Sequence, residues 1–184
     1  MLDSITHPLR FPPYRSVAHH ESEGNWAIKK YYQWPYRYFY RHKIRMIERA
    51  LRGKRYEAAI DFGSGPGILT KQWFQYVPTV HCVDKHYVMP KDKVGLIICS
   101  SVMEFVDDLD ETFKSLAEHL NKDGDIVVAS PMDTDITKIY FSAIGDRELR
   151  HSHQDILSSM SRYFNIRSYK TWAELYFCAM GKPK

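Results

Sequence analysis

Ile60-Asp61-Phe62-Gly63-Ser64-Gly65-Pro66-Gly67 is the stretch on which the reading of this chain turns. Ahead of it, Tyr56-Glu57-Ala58-Ala59-Ile60 predicts a buried strand; behind it, Ile68-Leu69-Thr70-Lys71-Gln72-Trp73-Phe74 predicts the start of a helix. A glycine-rich turn between a strand and a helix lets a ligand lie against bare backbone, beside the N–H groups of a helix N-terminus. The spacing excludes two common versions of such a turn. A dinucleotide fingerprint needs a third glycine where Ile68 stands, and a phosphate-cradling P-loop needs a glycine-lysine pair in place of Ile68-Leu69. What remains is an acid followed by three alternating glycines at the end of a first strand.

Two further stretches fit the same frame. Thr79-Val80-His81-Cys82-Val83-Asp84 predicts a second buried strand ending in a carboxylate, about 17 residues past Gly67, the separation that one helix and a return require. In a doubly wound sheet the ligand lies across the carboxyl ends of the strands, so an acid there can reach both ribose hydroxyls. Val94-Gly95-Leu96-Ile97-Ile98-Cys99 predicts another buried strand, followed by Ser100-Ser101-Val102-Met103-Glu104-Phe105-Val106.

The turn Asp61-x-Gly63-x-Gly65-x-Gly67 resembles motif I of the class I S-adenosylmethionine-dependent methyltransferases. Met103-Glu104-Phe105-Val106 resembles the segment after the fourth strand in the type 11 branch of that family, with Phe105 where a histidine is usual. The resemblance covers roughly Tyr56 to Met180. It implies an α/β fold: a Rossmann-like, doubly wound, mostly parallel sheet with an antiparallel C-terminal strand, in three α/β/α layers. It also implies S-adenosyl-L-methionine as cofactor. On that reading Gly63, Gly65 and Gly67 give close backbone approach, and Asp61 organises the methionine amino end. Asp84 holds the ribose, Ser64 and Lys85 belong to the same site, and Ser100 and Ser101 lie along the methionine or the transferred methyl. One region departs from the pattern. Between Asp84 and Val94 the family places a helix, a third strand and an acid near the adenine, whereas this chain has nine residues, too few for a helix plus a strand. The sheet is therefore expected to lack a strand, or the adenine to be held differently.

The bulk numbers frame this. At 184 residues the chain can bury a sizeable core, and 44% hydrophobic with 26% charged residues is an ordinary globular composition. Cys82, Cys99 and Cys178 stand alone in apolar runs without a C-x-x-C pair, which argues against a zinc site and a disulfide framework. No apolar run reaches membrane-spanning length and the N-terminus does not read as a signal peptide, so a cytoplasmic location is expected. A net charge of +4 allows an anionic partner without demanding nucleic acid.

Residues 1–25, with Pro8, Pro12 and Pro13, predict an extended N-terminal arm, and 26–184 a single domain. His19-His20-Glu21 reads as solvated arm, since no further ligand follows at helical spacing. Within the domain, 26–53 is an aromatic and basic segment and 54–184 the core. From Pro35 the spacing Tyr40, Ile44, Ile47, Leu51 predicts a helix ending near Gly53, with Arg37, Arg41, Arg45 and Arg52 on its other face. Three roles suit this segment: a helix packed on the sheet, a lid over cofactor and substrate with Tyr32 and Tyr40 lining its roof, or a surface for lipid or nucleic acid. Packing with a lid role is the reading adopted. Such a helix can equally form a homodimer interface.

Further along, Asp108 and Glu111 predict a helix cap before Leu109, Phe113, Leu116 and Leu120. Asn121-Lys122-Asp123-Gly124 predicts a turn, and Asp125-Ile126-Val127-Val128-Ala129-Ser130 a strand. Ser152-His153-Gln154-Asp155 predicts another cap, and Phe164 to Met180 two strands joined near Thr171 to Glu174.

Methyl transfer from a sulfonium is an in-line displacement, so the protein's work is positioning, with a base only if the nucleophile must lose a proton. His151 and His153, after the fifth strand, are the candidate bases, and Glu104 a candidate on the substrate side. No Asn/Asp-Pro-Pro-Tyr/Phe follows the fourth strand and no Pro-Cys nucleophile occurs there, which argues against methylation of DNA bases. The expected function is transfer to a small-molecule acceptor through O, N or C. The alternatives are a non-catalytic methyltransferase-like binding or partner subunit, and an RNA methyltransferase using the basic helix.

Overall fold

The computed structural model describes residues 36–65, 67, 69–73, 76–84, 89–143 and 149–184. The expected arm, Tyr32 and Lys85 lie outside the described residues.

Helix α1 spans Tyr36–Leu51. Ile44, Ile47 and Leu51 repeat at helical spacing and are fully buried, while Arg37, Arg45 and Arg52 face solvent. The chain leaves the helix through Gly53, whose φ of +77° suits the left-handed turn that glycine supplies. Six strands follow: β1 (Ala58–Phe62), β2 (Thr79–Val83), β3 (Val94–Ser100), β4 (Leu120–Pro131), β5 (Phe164–Trp172) and β6 (Tyr176–Pro183). The remaining helices are the single turn α2 (Thr70–Trp73), then α3 (Leu109–Glu118), α4 (Asp135–Ala143) and α5 (His153–Tyr163).

The strands form one sheet in the order β2-β1-β3-β4-β6-β5. The β1–β2, β1–β3 and β3–β4 pairs are parallel, and β6 lies antiparallel to both β4 and β5. Among the described residues no strand lies between β2 and β3, and β2 is a sheet edge, in line with the short link after Asp84. The chain runs outward from β1 to β2 and returns on the other side of β1 as β3. This reversal opens a crevice at the carboxyl ends of β1 and β3.

Side chains alternate between the two faces of the sheet. Ile60, Ile97, Cys99, Ile126 and Val128 meet Phe113 and Leu116 of α3 and Ile156 and Met160 of α5. Ala59, Leu96, Ile98 and Val127 meet Ile44, Ile47 and Leu51 of α1 with Leu69 and Trp73. Each large apolar side chain buried this way contributes about 1.5–3 kcal/mol. The result is the expected three-layer arrangement.

The caps form as predicted. Asp108 accepts the Glu111 N–H at 2.9 Å, and Ser152 and Asp155 form a reciprocal capping box. Three expectations need correction. The first strand begins at Ala58, two residues later than predicted, and Tyr56 instead donates its hydroxyl to Asp125 Oδ2 at 2.8 Å. Asn121-Lys122-Asp123-Gly124 is not a turn between helix and strand but part of β4. Pairing with β3 jumps from Val94–Leu120 to Leu96–Asp125, so these residues bulge opposite Gly95 and carry Asn121, Lys122 and Asp123 into solvent. The sequence reading also did not anticipate α4. Thr134 opens it, its hydroxyl accepting the Thr137 N–H at 3.2 Å and donating to Glu174 O at 2.8 Å, a contact made across the sheet's end.

Candidate functional site

The carboxyl ends of β1, β2 and β3 bring the glycine turn, Asp84 and the Ser100-Ser101-Val102 loop together. Gly63, Gly65 and Gly67 have φ of +73°, +52° and +70°, the left-handed region in which side chains are strained. Their neighbours differ. A Cβ on Gly63 would stand 2.3 Å from Val102 Cγ2, so this glycine lets the β1 and β3 loops close on each other. Among the described residues a Cβ on Gly65 would meet only Asp84 Oδ2, at 3.9 Å, so the backbone there lies open beside the Asp84 carboxylate. Val83 O accepts the N–H groups of Gly63 and Ser64 at 2.7 and 3.2 Å, tying the turn to β2.

Asp61 sits beneath this turn, only 2% exposed. Its Oδ2 accepts the Thr70 hydroxyl at 2.6 Å, and the Trp73 indole approaches without meeting hydrogen-bond geometry. Burial pushes its carboxyl up to about 6, and the Asp84 charge adds to the rise. Thr70, Trp73 and the Lys43 ammonium oppose it. An acid in this balance becomes a carboxylate near neutral pH.

Two hydroxyl oxygens in the same region, Ser64 Oγ and Ser100 Oγ, are buried with no hydrogen-bond partner among the described residues. Buried polar atoms of that kind await a partner. Together with the open backbone at Gly65, they make the crevice a fit for a ligand carrying an amine, a carboxylate and vicinal hydroxyls. Ser101 follows at φ +54°, its N–H on Ala129 O at 2.8 Å and its hydroxyl accepting from Lys43 Nζ at 2.6 Å.

A family model described as a methyltransferase domain matches residues 32–176. The chain belongs to that methyltransferase family. It is of the class I type, and its cofactor is S-adenosyl-L-methionine. Among solved structures, the N-methyltransferase NodS from Bradyrhizobium japonicum WM9 is similar at TM-score 0.61 and 10% identity, over 80% of this chain and 97% of its own. The same protein in complex with S-adenosyl-L-homocysteine gives TM-score 0.61 at 10% identity, over 78% of this chain and 86% of its own. A putative type 11 methyltransferase from Sulfolobus solfataricus gives TM-score 0.61 at 16% identity, over 77% and 91%. At such identities the likeness is one of fold. No curated protein matches the chain.

The residues expected on the acceptor side come from several elements. Tyr40 of α1 lies over the Lys43 ammonium, 4.7 Å from ring centroid to Nζ, and Tyr176 of β6 lies 5.7 Å from it. Beside them His42 stacks on Trp172 at 4.3 Å, with Tyr38 and Phe39 at its edge. Glu104 is 1% exposed, within a 3-10 turn over Met103–Phe105. His151 Nε2 lies 2.8 Å from Val106 O, and His153 Nδ1 accepts the Asp133 N–H at 3.2 Å.

Thr70, Lys43, Trp172 and Tyr176, which the sequence reading did not single out, stand in contact with these residues. Lys43 left a signal: it lies three residues after Tyr40 and four before Ile47, on the apolar stripe of α1. A cavity of about 480 Å³, lined by Lys54, Tyr56, Lys93 and Asp125 among others, opens at the opposite, amino ends of the strands and is separate from this crevice. Among the described residues no helix is long and apolar enough to cross a membrane, and no cluster of histidine, cysteine and carboxylate side chains could hold a metal ion.

Proposed function

We propose that this methyltransferase transfers the methyl group of S-adenosyl-L-methionine to a small-molecule acceptor, through an O, N or C nucleophile, by in-line displacement. The observation that carries it is the convergence on one crevice of Asp61, Asp84 and the Ser64 and Ser100 hydroxyls, which have no hydrogen-bond partner among the described residues. The cofactor supplies a sulfonium methyl that needs little activation. The chain's part is to bind, orient and exclude water. Asp61 takes the methionine amino group, Asp84 the ribose hydroxyls, and Gly65 lets the ligand approach the backbone. Ser100 and Ser101 lie along the methionine end. The aromatic wall of Tyr38, Phe39, His42 and Trp172, with Tyr40 beside Lys43, favours a compact acceptor.

Where the acceptor must lose a proton, His151 is the better placed of the two histidines. Donating from Nε2 to the Val106 carbonyl leaves its Nδ1 lone pair for a substrate proton. In His153 the Nδ1 lone pair already accepts the Asp133 N–H. A cytoplasmic location suits three thiols outside any disulfide.

Calorimetric titration with S-adenosylmethionine and S-adenosylhomocysteine, beside an Asp84→Ala variant, tests the cofactor site. Micromolar binding that weakens at least ten-fold in the variant supports it, and a folded wild type that binds neither overturns it. Acceptor screening by S-adenosylhomocysteine release then tests the substrate class. A second reading, RNA as the acceptor, is favoured by Arg37, Arg41 and Arg45 standing four residues apart on α1. After burial, the neighbouring guanidinium charges lower the basicity of Arg41. Steeply salt-dependent RNA binding, lost on replacing the three, would select it.

A further inference from the structure

Lys43 is the least expected residue on the apolar side of α1. It is fully buried, in a helix whose other inward side chains are Ile44, Ile47 and Leu51. An ammonium taken out of water is costly unless charge and hydrogen bonds compensate it. Here the compensation comes from the crevice. Nζ donates to Ser101 Oγ at 2.6 Å, lies over the rings of Tyr40 and Tyr176, and is near enough to Asp61 to favour its charged form. The two polar groups it serves sit at the ends of neighbouring strands, β1 and β3, on the face that α1 covers. A lysine that merely extended its stem over apolar surface would lead its ammonium out to water. Lys43 leads it inward.

We propose that Lys43 is a positioning residue of the cofactor site, whose ammonium, brought in from α1, fixes Ser101 and supplies the counter-charge for Asp61 on the same face of the sheet. The proposal rests on the assignment of Asp61 to the methionine amino group made above. It gives α1 a task beyond packing: without Lys43 the acid beneath the glycine turn loses one of the groups that favour its charged form. Ser101 is the second half of the device. Its φ of +54° is a strained conformation for a residue other than glycine, held on one side by the Ala129 carbonyl and on the other by Lys43.

The groups around Asp61 define what the test must separate. Lys43 comes from α1, Thr70 and Trp73 from α2, Asp84 from the end of β2 and Cys99 from β3. Cys82 of β2 is the register partner of Asp61 in the parallel β1–β2 ladder, and its Sγ donates to the Thr70 hydroxyl at 3.6 Å. Among the described residues Lys43 is the one cation in this set, so its removal should be felt as a change in the pH at which Asp61 ionises.

The experiment compares wild type, Lys43→Met and Lys43→Gln. S-Adenosylhomocysteine affinity is measured by calorimetry from about pH 5.5 to about pH 8, and the Asp61 carboxyl carbon is followed by NMR over the same range, assigned with Asp61→Asn. In wild type, affinity should climb through about pH 6 and then level. In both variants the midpoint should move up by about one pH unit, a typical effect of losing one close opposite charge. Binding then weakens about five-fold near pH 6 and is almost restored near pH 8, and the NMR midpoint moves with it. Gln keeps a hydrogen bond to Ser101 without the charge, so agreement of the two variants assigns the effect to charge; should Met fail to fold, Gln carries the test. Unmoved midpoints in a wild type that binds overturn the proposal alone. A wild type that binds at no pH overturns the cofactor-site reading and the proposal with it, even if the NMR midpoint moves.

Discussion

Asp61→Asn exchanges a buried carboxylate for a neutral group of the same shape, and the structure sets what should follow. The folded-state carboxyl ionises at about 6 against an ordinary 3.8, with burial as the main cause. Below 3.8 the acid is protonated in the folded and unfolded chains alike, and folding is unaffected. As pH rises the unfolded chain ionises first, so the folded state loses ground until it ionises too, near 6; above that the deficit is constant. The full deficit is about 3 kcal/mol, of which about 1 kcal/mol develops between about pH 5 and about pH 7.5. The Asn variant lacks this term. Urea unfolding of the two proteins should therefore give a stability difference that shifts in favour of the variant by about 1 kcal/mol over that interval, or about 2–4 °C in Tm. The same variant should bind S-adenosylhomocysteine at least ten-fold more weakly at neutral pH. A stability difference that does not change with pH would refute the account of Asp61 as an acid kept in place for a ligand's sake.

Gly63→Ala should destabilise by about 3 kcal/mol in urea unfolding, since a left-handed φ and a Cβ 2.3 Å from Val102 Cγ2 act together. Tyr56→Phe should cost about 1–2 kcal/mol by removing a hydrogen bond to the buried Asp125, yet leave cofactor affinity unchanged in calorimetry, because the contact lies at the amino ends of the strands. Ser152→Ala should lower stability by about 1 kcal/mol through loss of the α5 capping box, read as a lower urea midpoint. For an acceptor that must be deprotonated, His151→Gln should reduce kcat about 100-fold with little change in cofactor affinity, while His153→Gln should leave kcat within a factor of about two.

Much of the layout was legible because it is local. The apolar runs of β1, β2 and β3, the helical spacing of Ile44, Ile47 and Leu51, and the caps at Asp108 and Ser152 each depend on residues a few positions apart, so the chain states them directly. The acid-glycine turn and Asp84 were legible for the same reason: the end of a strand and the turn after it are fixed by short-range φ/ψ preferences. The long bulge of β4 was not, because Asn121 to Gly124 have turn composition and only the pairing of Val94 with Leu120 draws them into the strand. Nor was α4, whose opening Thr134 is held by Glu174, 40 residues away.

The site divides along the same line. By itself the sequence determined that a ligand turn follows β1, that acids stand at positions 61 and 84, and that small hydroxyl residues follow β3. Only the tertiary structure decided what those residues do to one another. Gly63 is required by Val102 across the crevice, Asp61 takes Thr70 as its donor, and Lys43 joins Ser101 across 58 residues of chain. A lysine on an apolar stripe reads as a solvated head on a buried stem for as long as its surroundings are unknown. Burial and charge pairing are properties of the packed molecule, and in this methyltransferase they turn that lysine toward the site.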